Sequence, residues 1–308
     1  MEQLMALLQA VVPILACIGL GFLARKKELL TQEQVGGVQQ FVLKFCLPPV
    51  LFNSCLEAQI GAENVTTMVM LLPILLLSCL WAFRARQKTY RYYNLPMLFT
   101  AHETGMIGIP MCIILFGASQ AYRMGILDMA QGLISTPVLV FLASDTGKGT
   151  SVKDVVKKVL LSPLLIMSLL GFALGLSGLI DRLDALGVGG IIRQTTGFLA
   201  QPLSASMLFS IGFNFSLSRE NRKEIMKIAG TVFGFSAAAC LIMQGVLCLV
   251  PDVDAMTRWV VLLYCTLPAS YLAPSLGRNN RESMIASGVC SLLTVVTLIS
   301  FCVIAAFS

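Results

Sequence analysis

"LFTAHETGMIGIPMCIILFG", residues 98–117, carries the chain's one histidine, a glutamate, three glycines and a proline within an otherwise apolar run. Proline cannot donate the helical hydrogen bond and its ring clashes with the preceding turn. Glycine lets the backbone leave helical geometry. The stretch therefore predicts a helix interrupted near its middle. What such an interruption means depends on whether the surroundings are water or lipid.

Of the 308 residues, 56% are hydrophobic and 12% charged, and the mean hydropathy is +0.82. A soluble domain is about 25% charged, so the composition is that of a polytopic membrane protein. Apolar runs of roughly 18–25 residues, each able to cross ~30 Å of hydrocarbon as a helix, follow one another along the chain. Ten are expected: 4–24, 35–56, 66–83, 95–117, 123–143, 159–180, 190–213, 226–250, 257–277 and 283–307. The first is read as a retained helix rather than a signal peptide. Glu2 precedes it and Arg25, Lys26 and Lys27 follow it, the reverse of a signal's charge order.

The net charge of +6 is explained by where the bases sit. Of the 22 Lys and Arg, 17 lie in or beside the connections between runs 1–2, 3–4, 5–6, 7–8 and 9–10, and Arg123, Arg182, Arg193 and Arg258 lie on the other side. The positive-inside rule makes the base-rich side cytoplasmic and both termini external, in a cell membrane. A nucleic-acid partner is thereby disfavoured. The last base, Lys44, falls inside run 2.

Shifting the chain by about 158 residues superimposes the runs of its two halves. "FCLPPVLFNS" in run 2 and "FLAQPLSASM" in run 7 place Pro49 and Pro202 alike, while Pro110 of run 4 matches Pro268 of run 9, "RWVVLLYCTLPASYLAPSLG". Five runs per half is an odd number, so residues 1–150 and 151–308 are expected to form repeats of opposite orientation. Backbone freed at membrane depth is tolerated only inside protein or around a wet cavity. Gly/Pro-interrupted runs at equivalent positions of two inverted halves point to a transporter's substrate site. Two unrelated proline kinks are the plainer alternative.

Glu103 lies about eight residues, or ~12 Å, into run 4, and a carboxylate at that depth costs roughly 2.5–3.5 kcal/mol. It is expected to be paired, protonated or wet. Lys44 has a matching depth in run 2, so either residue is a candidate for coupling transport to protons. A fixed packing pair for Glu103 and snorkelling for Lys44 are the structural alternatives. His102 projects about 100° away from Glu103 on a helix and is read as a hydrogen-bonded packing residue. Asp128 and Gln131, spaced i and i+3, share one face of run 5 near its outer end, where Asp128 is either a site residue or a helix cap. Second half-helices are expected to start near Pro110 and near Ser270, with their positive ends aimed at the midplane and favouring an anion.

Other chemistries find little support. The ten cysteines form no CxxC, and "HETGM" places Met106 where the second histidine of a HExxH zinc motif belongs, so no metal or cofactor is expected. "SDTGKGTS" at 144–151 lacks the first glycine of a phosphate-binding loop and reads as a linker. Energy must then come from a gradient or from the substrate itself. An intramembrane hydrolase needs a nucleophile beside a base, and nothing brings one to His102, so the chain is not read as an enzyme. A channel is the other alternative.

The whole chain resembles the auxin efflux carrier family, through its ten runs, "TGMIGIP", "LDMAQGL", "QPLSASMLFSIG" and "LPASYLAP". The resemblance implies an all-α, inverted five-plus-five fold in which a scaffold domain supports a transport domain with crossed, broken fourth and ninth helices. It implies a secondary transporter of a small organic anion, a carboxylate, by alternating access, with a possible homodimer through the scaffold. Carried onto this chain, the site residues are Glu103, Gly105, Gly108, Pro110, Asp128, Gln131, Pro268 and Ser270. Many members have asparagine where this chain has Glu103. A protonated Glu103 still donates to an anion, whereas an ionised one prefers a zwitterion or amine.

Overall fold

Proline and glycine decide where the apolar helices stop. The computed structural model describes residues 2–58, 61–145, 161, 163–215, 221–251 and 253–307. Its elements are helices: α1 Glu2–Lys26, α2 Gln32–Phe41, α3 Leu47–Leu56, α4 Ala62–Lys88, α5 Leu95–Thr100, α6 Ile109–Phe116 and α7 Ala121–Asp145. They continue as α8 Pro163–Leu176, α9 Leu179–Ala185, α10 Val188–Ala200, α11 Leu203–Asn214, α12 Arg222–Leu247, α13 Ala255–Thr266 and α14 Asn280–Phe307. The expected boundary between halves, at 150, and most of the 144–151 linker lie outside the described residues.

Among the described residues, five helical stretches are long and apolar enough to cross a membrane: 32–56, 62–88, 118–142, 222–247 and 280–307. The pair α8 and α9, bent by 76°, makes a sixth. The outer faces confirm the solvent: Leu77, Phe198 and Leu241 are 66%, 71% and 76% exposed, which suits lipid and not water. This is an all-helical, multi-pass membrane protein. Runs 4, 7 and 9 are each divided into shorter pieces.

The divisions follow from proline. In run 2 a widened turn, Val42–Cys46, precedes Pro48 and Pro49, and the Leu47 N–H reaches back five residues to Val42 O. In run 4 the turn Thr104–Gly108 precedes Pro110, and the Ile109 N–H reaches back five residues to Thr104 O. Such π turns take up the register that a proline cannot bond. Run 4 therefore resumes its helix at Thr104, not near Pro110 as expected. Run 9 differs from expectation more. After Pro268 no half-helix begins at Ser270; residues 267–272 are unwound and a single 3-10 turn, Ala273–Leu276, follows. Pro274 enters that turn at its start, and Leu267, the residue before Pro268, is held extended at ψ 148°, as pre-proline residues are.

Helices approach most closely where glycine removes the side chain. On α1, a Cβ at Gly21 would fall on Phe209 O of α11, and one at Gly212 of α11 would fall on Ile18 O of α1. On α8, Gly171 and Gly175 sit against Phe52 O and Leu56 O of α3, a small-xxx-small face of the kind that lets membrane helices touch backbone to backbone. Helix α1 lies on α11, and α8 lies on α3. The main core, around Tyr264, Leu51, Ile107, Met111 and Met124, surrounds the break in run 4.

Candidate functional site

Between α5 and the turn at Thr104, residues 101–103 are extended, and they run antiparallel to residues 268–270. The Glu103 N–H donates to Pro268 O at 2.9 Å and the Ser270 N–H donates to Ala101 O at 2.8 Å, with His102 opposite Ala269. Two breaks distant in sequence thus satisfy each other's backbone, as membrane-depth peptides must. One two-residue-wide bridge cannot satisfy every group, and side chains supply the rest.

Gln131, on α7, completes the strand-like pairing. Its Oε1 accepts the His102 N–H at 3.0 Å and its Nε2 donates to His102 O at 2.9 Å. Tyr264 of α13 donates its hydroxyl to the same Oε1 at 2.9 Å. Gln131 Nε2 also lies 3.1 Å from Asp128 Oδ1, one helical turn away, and the Thr104 hydroxyl donates to that oxygen. Asp128 therefore sits in the interior of α7 and caps no helix end; its i, i+3 partner is the reason it faces inward.

Glu103 reaches across to the other unwound segment, where its Oε2 accepts the Tyr271 N–H at 2.8 Å. The Ser270 hydroxyl lies beside the same carboxylate, and Asp128 is close enough for its charge to act on it. A charged-capable side chain is thus used as a backbone partner, closing the unwound turn after Pro268.

These groups form one wall of a cavity of about 330 Å³, which takes in His102, Glu103, Thr104, Gly105, Asp128, Gln131 and Ser270. The remaining lining is Leu43 and Leu47 at the widened turn of run 2, Met97 and Ala101, Ser135, Thr136 and Leu139 further along α7, Leu164 and Leu272. Of the residues predicted for the site, Glu103, Gly105, Asp128, Gln131 and Ser270 line the cavity. Gly108, Pro110 and Pro268 lie behind it. A Cβ at Gly108 would meet Leu267 Cδ1 at 2.7 Å, so its role is close packing of the two breaks. Pro110 enters α6 at its first turn, and Pro268 lends its carbonyl to Glu103.

Lys44 is exposed and its Nζ lies 3.5 Å from Gln40 Oε1; its neighbours Leu43 and Leu47 line the wall instead. His102 lines the cavity and is also packed and hydrogen-bonded: its ring meets Tyr264 edge-on at 4.9 Å and its Nδ1 lies 3.3 Å from Leu267 O. Thr104, Tyr264 and Tyr271 escaped the sequence reading. Their signal is that each hydroxyl-bearing residue directly flanks a break, in "HET" and "YCTLPASY". Among the described residues no three His, Cys, Asp or Glu side chains gather to hold a metal.

Comparison with known proteins follows the geometry. The profile of one family, membrane transport protein, matches residues 6–305. A protein of Methanothermobacter thermautotrophicus, described as an uncharacterized transporter, is 21% identical over 301 residues that cover 95% of each chain.

Proposed function

The chain belongs to the membrane transport protein family, that of the auxin efflux carriers, and from this premise we propose that it is a secondary transporter carrying a small organic solute through the mid-membrane cavity by alternating access. The observation that carries the reading is the pairing of two unwound segments, 101–103 and 268–270, along the wall of a polar cavity. Broken helices meeting in this way are how transporters expose backbone and polar groups to a solute at membrane depth.

The reciprocal packing of α1 on α11 and of α8 on α3 supports the ten-span, inverted-repeat reading, in which runs 1 and 6 are equivalents and so are runs 2 and 7. In that topology four lining residues, Ser135, Thr136 and Leu139 of α7 and Leu164 at the start of α8, lie on the base-rich side of the breaks, which supports reading this conformation as the inward-facing one. Thr104–Phe116 forms an apolar helix whose first turn opens on the cavity, and the helix dipole there is the one feature that favours negative charge.

A carboxylate solute would meet Glu103 and Asp128. At about 5 Å and an effective dielectric of about 20, each ionised carboxylate raises the energy of an anion by about 3 kcal/mol. That exceeds the ~0.3–1 kcal/mol of a helix terminus. An organic anion is therefore carried only with protons on these residues, which makes Glu103 and Asp128 the coupling groups of an anion carrier.

The test is uptake into proteoliposomes of dicarboxylates, monocarboxylates, amino acids and amines at pH 5 to 8, with counterflow as the readout. Saturable uptake accelerated by solute on the opposite side supports alternating access. Linear, non-saturating flux without counterflow would instead identify a channel.

A further inference from the structure

We infer that Cys240 of α12 and Cys265 of α13 form a modification site, a dithiol that a hydroperoxide closes to a reversible disulfide, and that closure shifts the break in run 9. The disulfide stands on the packing of two helices; its effect on solute movement rests on the transporter reading.

The first observation is that the two thiols are neighbours. Residues 248–254 join α12 to α13, so the end of one helix and the start of the other lie on the same side. Cys240 stands seven residues, or ~10 Å, before the end of α12, and Cys265 ten residues, or ~15 Å, beyond the start of α13. At this similar depth the Cys265 thiol donates a hydrogen bond to the Cys240 sulfur. Cys240 packs on the core cluster that contains Cys265, and both are free thiols.

The second is access. Cys265 is 4% exposed, whereas Cys240 is half-buried beside Leu241 and Ile242, which are 76% and 54% exposed on the outer surface. A small neutral oxidant arriving through lipid therefore meets Cys240 first, with Cys265 behind it. Cys265 also borders a cleft of about 20 Å³ together with Ser78, His102, Ser236 and Tyr264, room for one water-sized molecule.

The third is charge. Two thiolates around a soft monovalent cation would carry a net negative charge, which hydrocarbon penalises; a disulfide is neutral. The Cys240 sulfur attacks one oxygen of the peroxide: an S–O bond forms, the O–O bond breaks and the sulfur gives up two electrons. The thiol proton leaves with the second oxygen, as water or, from an organic hydroperoxide, as an alcohol. The Cys265 sulfur then displaces that oxygen from Cys240. The S–S bond forms, the S–O bond breaks, and the released hydroxide takes the Cys265 proton and leaves as water into the cleft.

A disulfide holds its sulfurs roughly 2.05 Å apart, closer than two thiols in contact, so closure draws α12 and the last turn of α13 together. That turn carries Tyr264, whose hydroxyl donates to Gln131 Oε1 at 2.9 Å. It leads into Leu267, whose carbonyl meets His102 Nδ1 at 3.3 Å. Through these two residues the oxidation state of the pair reaches the break.

The experiment exposes the full-length protein in liposomes to hydrogen peroxide or to cumene hydroperoxide, which partitions into lipid. Remaining thiols are alkylated in denaturant and the chain is digested with trypsin, which cuts after Arg258, between the two cysteines. Peptides linked through Cys240 and Cys265, and separated by a reductant, are expected at no less than tenfold the yield of any other cysteine pair. Fragmentation of the linked peptides tells Cys240 from Cys248, which shares its peptide and is exposed. No linkage, or linkage through Cys248, overturns the inference, and this result needs no variant. Relative to each reagent's rate with free cysteine, cumene hydroperoxide should link the pair faster; the reverse order overturns the approach through lipid. Counterflow in the same liposomes should fall at least threefold on oxidation, recover with reductant and stay unchanged in Cys240→Ser. Linkage with unaltered counterflow overturns the effect on the break. Linkage in a protein that shows no counterflow before treatment leaves the disulfide standing and overturns the transporter reading.

Discussion

The side-chain amide of Gln131 spans the peptide unit of His102, accepting its N–H at 3.0 Å and donating to its carbonyl at 2.9 Å. It does for one residue what a neighbouring strand does for many. The bridge between the two breaks satisfies Ala101, Glu103, Pro268 and Ser270, and the His102 N–H would be left without a partner but for α7, while the His102 carbonyl also accepts the Thr104 N–H at 3.0 Å. Gln131→Leu is expected to destabilise by about 1–3 kcal/mol, since one backbone N–H loses its partner. Gln131→Glu keeps the acceptor and should lose less. Thermal unfolding in micelles checks the order, and an equal loss in both variants would show that the acceptor oxygen is immaterial.

Arg123 ties three helices at one end of the bundle. It is 9% exposed and pairs with Asp254 at 2.7 Å and with Glu63, 14% exposed, at 3.8 Å. Its guanidinium also donates to the Thr257 hydroxyl and, through Nε, to Gln120 at 2.8 Å. Arg123→Met leaves Glu63 uncompensated at a cost of about 2–3 kcal/mol, below the 3–5 of a fully buried pair, because Asp254 is 48% exposed and rehydrates. Adding Glu63→Gln should recover part of that loss. A double variant no better than the sum of the two single ones would remove the pairing as its cause.

Glycines at the helix contacts separate by what a methyl group would strike. Gly21→Ala sets a Cβ against Phe209 O, a backbone atom that cannot turn aside, and should cost about 1–3 kcal/mol or more. Gly234→Ala, within α12 and with nothing inside 4 Å, should be neutral or stabilising by up to about 1 kcal/mol. Unfolding midpoints that fail to separate the two would refute the close approach of α1 and α11.

Gly105 and Gly108 serve different ends. A Cβ at Gly105 would find Leu43 and Leu47 at 3.7 and 3.8 Å, ordinary contact, so Gly105→Ala should leave stability within about 0.5 kcal/mol while narrowing the cavity and weakening solute binding. Gly108→Ala must displace Leu267 and should lower stability first. Binding and unfolding measured on both variants distinguish a lining role from a packing one.

In the connection between α4 and α5, Tyr92 donates its hydroxyl to Glu224, which also pairs with Arg281 at 3.0 Å. Burial, reinforced by that carboxylate, pushes the phenol up to about 12 from its ordinary 10. The raised value favours the neutral phenol in the folded state. Its contribution is therefore whole below about pH 10 and is lost as pH rises from there through about 12. Tyr92→Phe should destabilise near neutrality and flatten this alkaline decline. An unchanged decline in the variant would assign it elsewhere.

Much of this site is legible in sequence because its chemistry is local. Gly105, Gly108, Pro110 and Pro268 announce the breaks, and the spacing of Asp128 and Gln131 places them on one face of α7. What periodicity lacks is lateral distance. The family resemblance brings the fourth and ninth runs together, but nothing in the chain reveals that 101–103 pairs with 268–270 backbone to backbone, so Gln131's work on His102 could not be foreseen. Depth likewise gives no azimuth: Lys44 matches Glu103 in height yet sits on the outer surface of its helix. The starting points of the half-helices were misplaced for a third reason. A widened turn lets a helix begin ahead of its proline, as at Thr104, while two prolines within seven residues, Pro268 and Pro274, leave room for a single turn only.

The glycine contacts between α1 and α11 also bear on how the chain matures. Helix α1 leaves the ribosome well before the surface it fits, Leu203–Asn214, which lies about 180 residues further along the chain. At about 5–20 residues per second the wait is on the order of 10–35 s. Throughout it Gly21 offers lipid a notch that no side chain fills. Helix α1 is thus synthesised long before its partner and must wait to find its place, which makes it a natural client for whatever shelters unpaired helices in the bilayer.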